Sequence, residues 1–214
     1  MKGRRGVCYD DAVPTDRRIQ RVTSVLDRRQ PDLRVVLEGV AIAHNASAVL
    51  RTCDAAGVPD VDIISPNPDV LVFNKAISTR ADKWVRIRVH ASASDCLAGI
   101  RAEGFLIAAT HLGEGAVPYR EVDYTRPIAI VFGSESEGIS AEALALSDLR
   151  IRIPMVGMVQ SLNLSVSVGI VLYEAFHQRQ AKGLFGRKRL PPGRYDALFK
   201  DWLGIDPGPE GKPD

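Results

Sequence analysis

Apolar and polar positions along this chain follow two alternating periods. Around Asp16–Arg29 the apolar residues Ile19, Val22, Val25 and Leu26 recur at three- and four-residue spacing. That pattern predicts an amphipathic helix, capped by Thr15 or Asp16 and stopped by Pro31. Leu33–Val40 reads as a strand. Ala46–Ala56 then reads as a helix with Ala46, Val49, Leu50 and Cys53 on its apolar face and Gly57 closing it. Val61–Ser65, Val85–Val89, Phe105–Thr110, Pro127–Phe132 and Leu149–Ile153 are further predicted strands. The unbroken apolar run at Pro127–Phe132 is the pattern of a strand buried on both faces. Ala93–Ala102, Ser140–Leu146 and Leu162–Gln180 read as helices, with a last one near Tyr195–Leu203. Asn67–Asp82 is a polar, irregular connection, and the Pro/Gly-rich Asp206–Asp214 predicts disorder. Strand–helix alternation of this kind predicts an α/β fold with a mostly parallel sheet flanked by helices.

With 214 residues, 45% hydrophobic and 25% charged, the chain can bury one large core and has ordinary soluble usage. No apolar run reaches the roughly 18 residues of a membrane span. The basic start Met1–Gly6 is followed by no apolar segment, so the expected location is the cytoplasm. Cys8, Cys53 and Cys96 are odd in number and lack C-x-x-C spacing, which reads as reduced thiols. His44, His90 and His111 are well separated, and no metal is expected. The net charge of +2 conceals a segregation: residues 1–34 carry +4, 35–178 carry −5, 179–202 carry +5 and the last twelve −2. A weakly acidic body with two basic ends fits contact with a polyanion, or equally a set of solvated helix faces.

In parallel α/β sheets ligands sit beyond the carboxyl ends of strands. Three segments stand there: Thr110–Leu112, Gly133–Gly138, and the loop after Ile153. The last places Met155 and Met158 around Gly157, suggesting an apolar slot lined by backbone, ahead of a helix start with capping chemistry at Ser161 and Asn163. Gly133 and Gly138 allow close backbone approach or simply a tight turn, and their spacing is neither a P-loop nor a dinucleotide fingerprint. In the second predicted helix, Asn45 stands as a cap and Arg51 about two turns along. Arg51 reads either as a surface residue, a partner for Asp54, or a planar fork for phosphate.

Three blocks, His44–Gly57, Phe132–Ser140 and Ile153–Ser167, together make the chain resemble the SPOUT-class RNA ribose 2′-O-methyltransferases. Arg28–Leu33, Arg120–Pro127, Tyr173–Ala175 and Gln178–Gln180 resemble the branch that methylates a D-loop guanosine, guanosine 18, of tRNA. The likeness runs from Asp16 to Trp202. It implies a deep C-terminal trefoil knot, S-adenosylmethionine as cofactor and a homodimer. It also implies a knotted catalytic domain over 33–182, basic helical extensions over 1–32 and 183–204, and a disordered tail over 205–214. Carried over by position, Thr110, Gly133, Ile153 and Leu162 line the cofactor site, with Met155 and Gly157 of the same loop. Arg51, Asn45, Glu135, Ser161 and Asn163 fall on the motif positions of the catalytic site.

Arginine is a poor general base because its guanidinium stays protonated. Arg51 is therefore expected to stabilise the developing alkoxide and to clamp a phosphate, with Asn45 orienting Arg51 or the ribose. Arg17, Arg18, Arg21, Arg28, Arg187, Lys188 and Arg189 are the candidate tRNA contacts, while Tyr9, Tyr195, Phe199 and Trp202 read either as base-stacking or as packing residues. Three features depart from the family pattern. Ala41-Ile42-Ala43 stands before His44 where relatives carry Lys-Pro, Glu137 adds a negative charge, and Phe73–Arg80 is poor in glycine. An enzyme for rRNA or the tRNA wobble position, or a non-catalytic RNA-binding protein of this fold, are the alternatives.

Overall fold

The computed structural model describes residues 13–40, 43–66 and 83–207. Tyr9, Cys8, Ala41-Ile42, the connection at 67–82 and residues 208–214 of the expected tail lie outside the described residues. Helix α1 (Asp16–Leu26) is capped by Thr15, whose hydroxyl accepts from the Arg18 amide. It ends three residues before the predicted Arg29. The Gln30 amide instead donates to the Gly57 carbonyl at 2.8 Å, and the Arg29 guanidinium is held by Asp54 and the Trp84 carbonyl. Tertiary partners here outbid helix propensity.

Then follow β1 (Leu33–Glu38), α2 (Ala43–Ala55), β2 (Asp60–Ile64), β3 (Arg86–His90), α3 (Ala93–Ala102), β4 (Leu106–Thr110), β5 (Val117–Pro118), β6 (Ile128–Phe132), α4 (Ala141–Ala145), β7 (Leu149–Arg152), α5 (Leu164–Ala181) and α6 (Pro192–Leu203). Two boundaries differ usefully from the pattern. Helix α2 begins at Ala43, so Asn45 lies inside its first turn and is not the cap. Helix α6 begins three residues before Tyr195, with Pro at its start. Strand β5, of two residues, is too short for any periodicity to announce it.

Seven strands form one sheet in the order β3-β2-β1-β6-β4-β7-β5. Every strand pair is parallel. Successive side chains point to opposite faces, and the core divides accordingly. Val35, Val61, Ile63, Ala108, Ile130 and Ile151 meet Val49, Cys53, Val168 and Leu172 of α2 and α5 on one face. Val36, Ile107, Ala109 and Val131 meet Cys96, Leu97, Ile100 and Ala143 of α3 and α4 on the other. Each Val, Leu or Ile among them, fully buried, contributes about 1.5–3 kcal/mol.

A third cluster joins the two ends of the chain. Val22 and Leu26 of α1 pack with Leu190 and with Tyr195, Phe199, Trp202 and Leu203 of α6. Tyr195, Phe199 and Trp202 are thus core residues, each at most 7% exposed. The cluster is fastened to the amino ends of the strands. Arg194 reaches Asp60 at the start of β2, and Trp84, just before β3, meets Trp202 edge-on at 4.9 Å. Arg179 of α5 is fully buried and donates to Asp32, Gln30 and the carbonyls of Tyr124 and Arg126. Cys53 and Cys96 are buried free thiols. Among the described residues no helix is long and apolar enough to cross a membrane.

Candidate active site

At the opposite, carboxyl end of the sheet, the loops after β4, β6 and β7 enclose a cavity of about 450 Å³. That is within the roughly 300–1,000 Å³ range of small-molecule sites. All three segments singled out by their place in the sequence line it: Thr110–Gly113, Gly133–Ile139, and Ile153, Met155 and Gln160–Leu162. The turn after β6 is built so that only glycine fits at 133. A Cβ there would lie 2.1 Å from the Gly138 carbonyl, because Ser134 and Gly138 exchange backbone hydrogen bonds at 3.0 and 3.1 Å. The result is a tight turn whose backbone closes on itself and lines the cavity wall. Thr110 also ties two strands together, its hydroxyl donating to the Val131 carbonyl at 3.1 Å.

At the tip of that turn, Glu135 gathers three elements. Its Oε1 accepts from Asn45 Nδ2 of α2 at 3.1 Å, from Asn163 Nδ2 at 2.6 Å, and from the Leu164 amide at 3.1 Å. Asn163 is the N-cap of α5: its Oδ1 accepts from the Ser165 amide at 2.9 Å and the Ser165 hydroxyl at 2.6 Å. The carboxylate at this helix start also meets the positive end of the α5 dipole. A second, smaller cavity of about 190 Å³ lies alongside, lined by Gly39, Val40, Asn45, Ser134, Glu135, Ser136 and Leu164. It shares Ser134, Glu135, Ser136 and Leu164 with the first. Three residues from three distant stretches of sequence thus converge between two cavities.

Other expected site residues fall differently. Ser161 lines the large cavity, but Gly157 has open space around it and Met158 is 99% exposed, so of the two methionines only Met155 serves as wall. The loop turns outward after Met155. Arg51 is exposed and stays apart from the Asn45–Glu135–Asn163 cluster. Six residues along a helix is about 9 Å of rise and about 120° away from the face of Asn45. Asp54 is not its partner, since that carboxylate accepts from Arg29 at 2.6 Å. Arg17, Arg21, Arg28 and Arg187 are exposed and make no side-chain hydrogen bond or ion pair among the described residues. Arg18 donates to the Trp202 carbonyl at 3.2 Å, and Lys188 lies 3.6 Å from Asp27 and over the Tyr195 ring. Arg189 departs from its expected RNA contact: it is mostly buried and paired with Asp32, beside Arg179. His111, within the Thr110–Leu112 segment, and Arg152 and Gln160 also line the cavity, though no individual role was expected of them. Their neighbours in the same loops were the only signal.

One cluster elsewhere has metal-ligand composition: Asp62, His90 and Cys96, with ligand atoms within 4.8 Å. Its chemistry disfavours a cation. The Asp62 carboxylate already accepts from Arg88 at 2.9 and 3.1 Å and from His90 at 2.7 Å, and burial pushes the Cys96 thiol up to about 12.

A parallel α/β sheet with a cavity beyond its strand ends, and polar side chains grouped at the cavity edge, has the layout of an α/β small-molecule-binding enzyme. The chain belongs to the SpoU rRNA methylase family, whose model matches residues 32–173. It is 49% identical over 189 residues to the tRNA (guanosine(18)-2′-O)-methyltransferase of Thermus thermophilus, covering 88% of this chain and 97% of that one. The crystal structure of the A. aeolicus TrmH/SpoU tRNA modifying enzyme superposes with a TM-score of 0.82 at 40% identity, over 88% of this chain and 96% of that one. The AdoMet-bound rRNA methyltransferase from Sinorhizobium meliloti superposes at 0.60 with 29% identity, over 74% and 60%. The cofactor of the family is S-adenosylmethionine. The size of the cavity and its mixed lining, apolar at Ile153, Met155 and Leu162 and polar at Thr110 and the 133–138 turn, fit that group.

Proposed function

We propose that this enzyme transfers a methyl group from S-adenosylmethionine to the ribose 2′-oxygen of guanosine 18 in the D-loop of tRNA. The observation that carries the reading is the Asn45–Glu135–Asn163 cluster, set between the two cavities that share Glu135. The 49% identity to the Thermus enzyme supports the target. When bound, S-adenosylmethionine supplies an electrophilic methyl on a sulfonium. Thr110, Gly133, Ile153, Met155 and Leu162 hold it, with Ser161 shaping the loop. Glu135 locks Asn45 and Asn163 in one orientation, and Asn45 orients the ribose in the smaller cavity. Positioning of this kind supplies several kcal/mol of catalysis. Arg51, exposed and about 9 Å along α2 from Asn45, is assigned the substrate phosphate, with stabilisation of the alkoxide as the role that the family resemblance implies.

The same reading divides the chain into a knotted catalytic domain (33–182), basic extensions (1–32 and 183–204) and a tail (205–214), and places tRNA on Arg17, Arg18, Arg21, Arg28, Arg187 and Lys188. A deep trefoil knot accords with a sheet order in which β4 lies between β6 and β7 while the loops after all three converge on one cavity. A homodimer accords with α5, which leaves Val166 and Tyr173 about half exposed beside the exposed Val156, Met158 and Val159.

The test is methyl transfer from labelled S-adenosylmethionine to an unmodified tRNA transcript, with guanosine 18 present or replaced. Incorporation that vanishes on replacement and maps to the 2′-oxygen is expected. Incorporation indifferent to the replacement overturns the target, and its absence on tRNA redirects the reading to rRNA or a binding role.

A further inference from the structure

We infer that Glu38, the last residue of β1, is a positioning residue for the methyl-donor cavity: its carboxylate fastens the far end of the 133–140 turn to the sheet. The two oxygens are used separately. Oε2 accepts from the Ser140 amide at 2.9 Å and Oε1 from the Ser140 hydroxyl at 2.7 Å. Ser140 in turn is the N-cap of α4, its hydroxyl oxygen accepting from the Ala143 amide at 3.1 Å. One carboxylate therefore sets both the amide and the hydroxyl rotor of the residue that ends the turn and starts the helix.

Between these anchors the turn has few polar ties, with Ile139 packing against the α3–α4 side of the core. Its near end leaves β6 at Phe132, and its internal ties are the Ser134–Gly138 bridge and the Glu137 amide donating to Ser134 Oγ at 3.0 Å. Glu135 at the tip is held by Asn45 and Asn163, but Ser136, Glu137 and Gly138 are exposed. Gly133 through Ile139 all line the cavity. Glu38 thus governs the half of the cavity wall that Glu135 does not reach, from β1 and not from the turn itself. Two paired hydrogen bonds to a charged acceptor fix a direction as well as a distance.

The consequence falls on donor binding rather than on RNA binding or on the chemical step. In Glu38→Ala the dissociation constant for S-adenosylmethionine, measured by calorimetry on the full chain, rises about tenfold, and its KM follows. Affinity for tRNA and kcat stay within about twofold. Without any cofactor, hydrogen exchange at the Ser140 and Gly138 amides accelerates while the β6 amides keep their protection. Glu38→Gln, which keeps one acceptor for the amide, recovers most of the affinity. Ser140→Ala, which keeps the amide bond to Glu38 and removes only the hydroxyl one, loses part of that affinity, and the double variant loses less than the sum of the two single ones, since both remove the hydroxyl bond. Unchanged donor affinity in Glu38→Ala overturns the inference. So does additive loss in the double variant, or a parallel fall in donor and tRNA affinity.

Discussion

Replacing Glu135 with alanine removes one acceptor from three donors: Asn45 Nδ2, Asn163 Nδ2 and the Leu164 amide, at 3.1, 2.6 and 3.1 Å. Hydrogen bonds to a charged partner contribute about 1.5–3 kcal/mol when shielded. Glu135 is exposed, so screening by water brings each to about 1 kcal/mol. The three together hold about 2–3 kcal/mol of orientation. If all of it is expressed in the transition state, the rate falls about 30- to 150-fold, at about 1.4 kcal/mol per decade. Glu135→Gln keeps the acceptor oxygen but not the charge, and loses about five- to tenfold. The assay is single-turnover methyl transfer to unmodified tRNA at saturating donor, which reads the step after binding. Melting temperatures separate lost positioning from lost fold. A Glu135→Ala rate within about threefold of the parent refutes the reasoning. A glutamine variant as slow as the alanine one shows that charge, not the three-way junction, matters.

Other expectations follow from the same geometry. Arg179→Met strips donors from the Asp32 carboxylate and from the Tyr124 and Arg126 carbonyls. Breaking a buried pair costs about 3–5 kcal/mol, so calorimetry should show Tm lower by roughly 10 °C; an unchanged Tm contradicts the role. The Tyr124 hydroxyl is buried without a partner, and Tyr124→Phe should leave urea stability equal or raise it by about 1 kcal/mol, a loss of more than that counting against an orphaned hydroxyl. Burial raises the Cys53 and Cys96 thiols, so mass mapping after alkylation at pH 8 should find neither modified until the protein is unfolded. The hydrogen bond from Arg34 holds the Glu103 carboxyl below its usual range. Its stabilising effect is therefore present above about pH 4.3 and lost as pH falls through the lower folded value. Urea midpoints of the parent and Glu103→Gln should differ at pH 7 and converge in acid, and a gap that widens in acid reverses the sign.

What could be read before any coordinates was local. The run Ile128–Phe132 announced a strand buried on both faces because a parallel sheet covered by helices leaves it no polar side. Asn163 announced a helix start because amides there need an acceptor. The three cavity loops were legible too, as segments that follow strands. What stayed hidden depends on residues meeting across the chain. Nothing near Arg29 says that Asp54 and Trp84 will end α1 early. Nothing near Arg189 says that Asp32, 157 positions earlier, will pair with it. A basic residue reads the same in sequence whether its charge is free or spent. Glu38 was invisible for the same reason, since its meaning lies in Ser140, 102 residues away.

The two ends of the sheet now constrain the substrate. The methyl-donor cavity lies beyond the carboxyl ends of β4, β6 and β7. The α1–α6 cluster lies at the amino ends, fastened through Arg194 to Asp60 and through Arg189 to Asp32. From Leu33 to Glu38, β1 alone separates the two by about 17 Å, at about 3.3 Å per residue. A free nucleoside cannot occupy the cavity edge and touch Arg21, Arg28 or Arg187 together. A folded RNA can, and its backbone would meet the exposed guanidinium groups wherever its bases point. Contacts of that kind add affinity that falls steeply with salt and carries little base identity. On the function proposed above, the nucleotide is then chosen at the cavity end and the molecule by its overall shape. On that division of labour, reversing the charge at Arg28 should weaken all folded tRNAs alike and flatten the salt dependence, while leaving the methylated position unmoved. A shift of the methylated nucleotide in Arg28→Glu, read by mapping the product, would place base selection at the basic end instead.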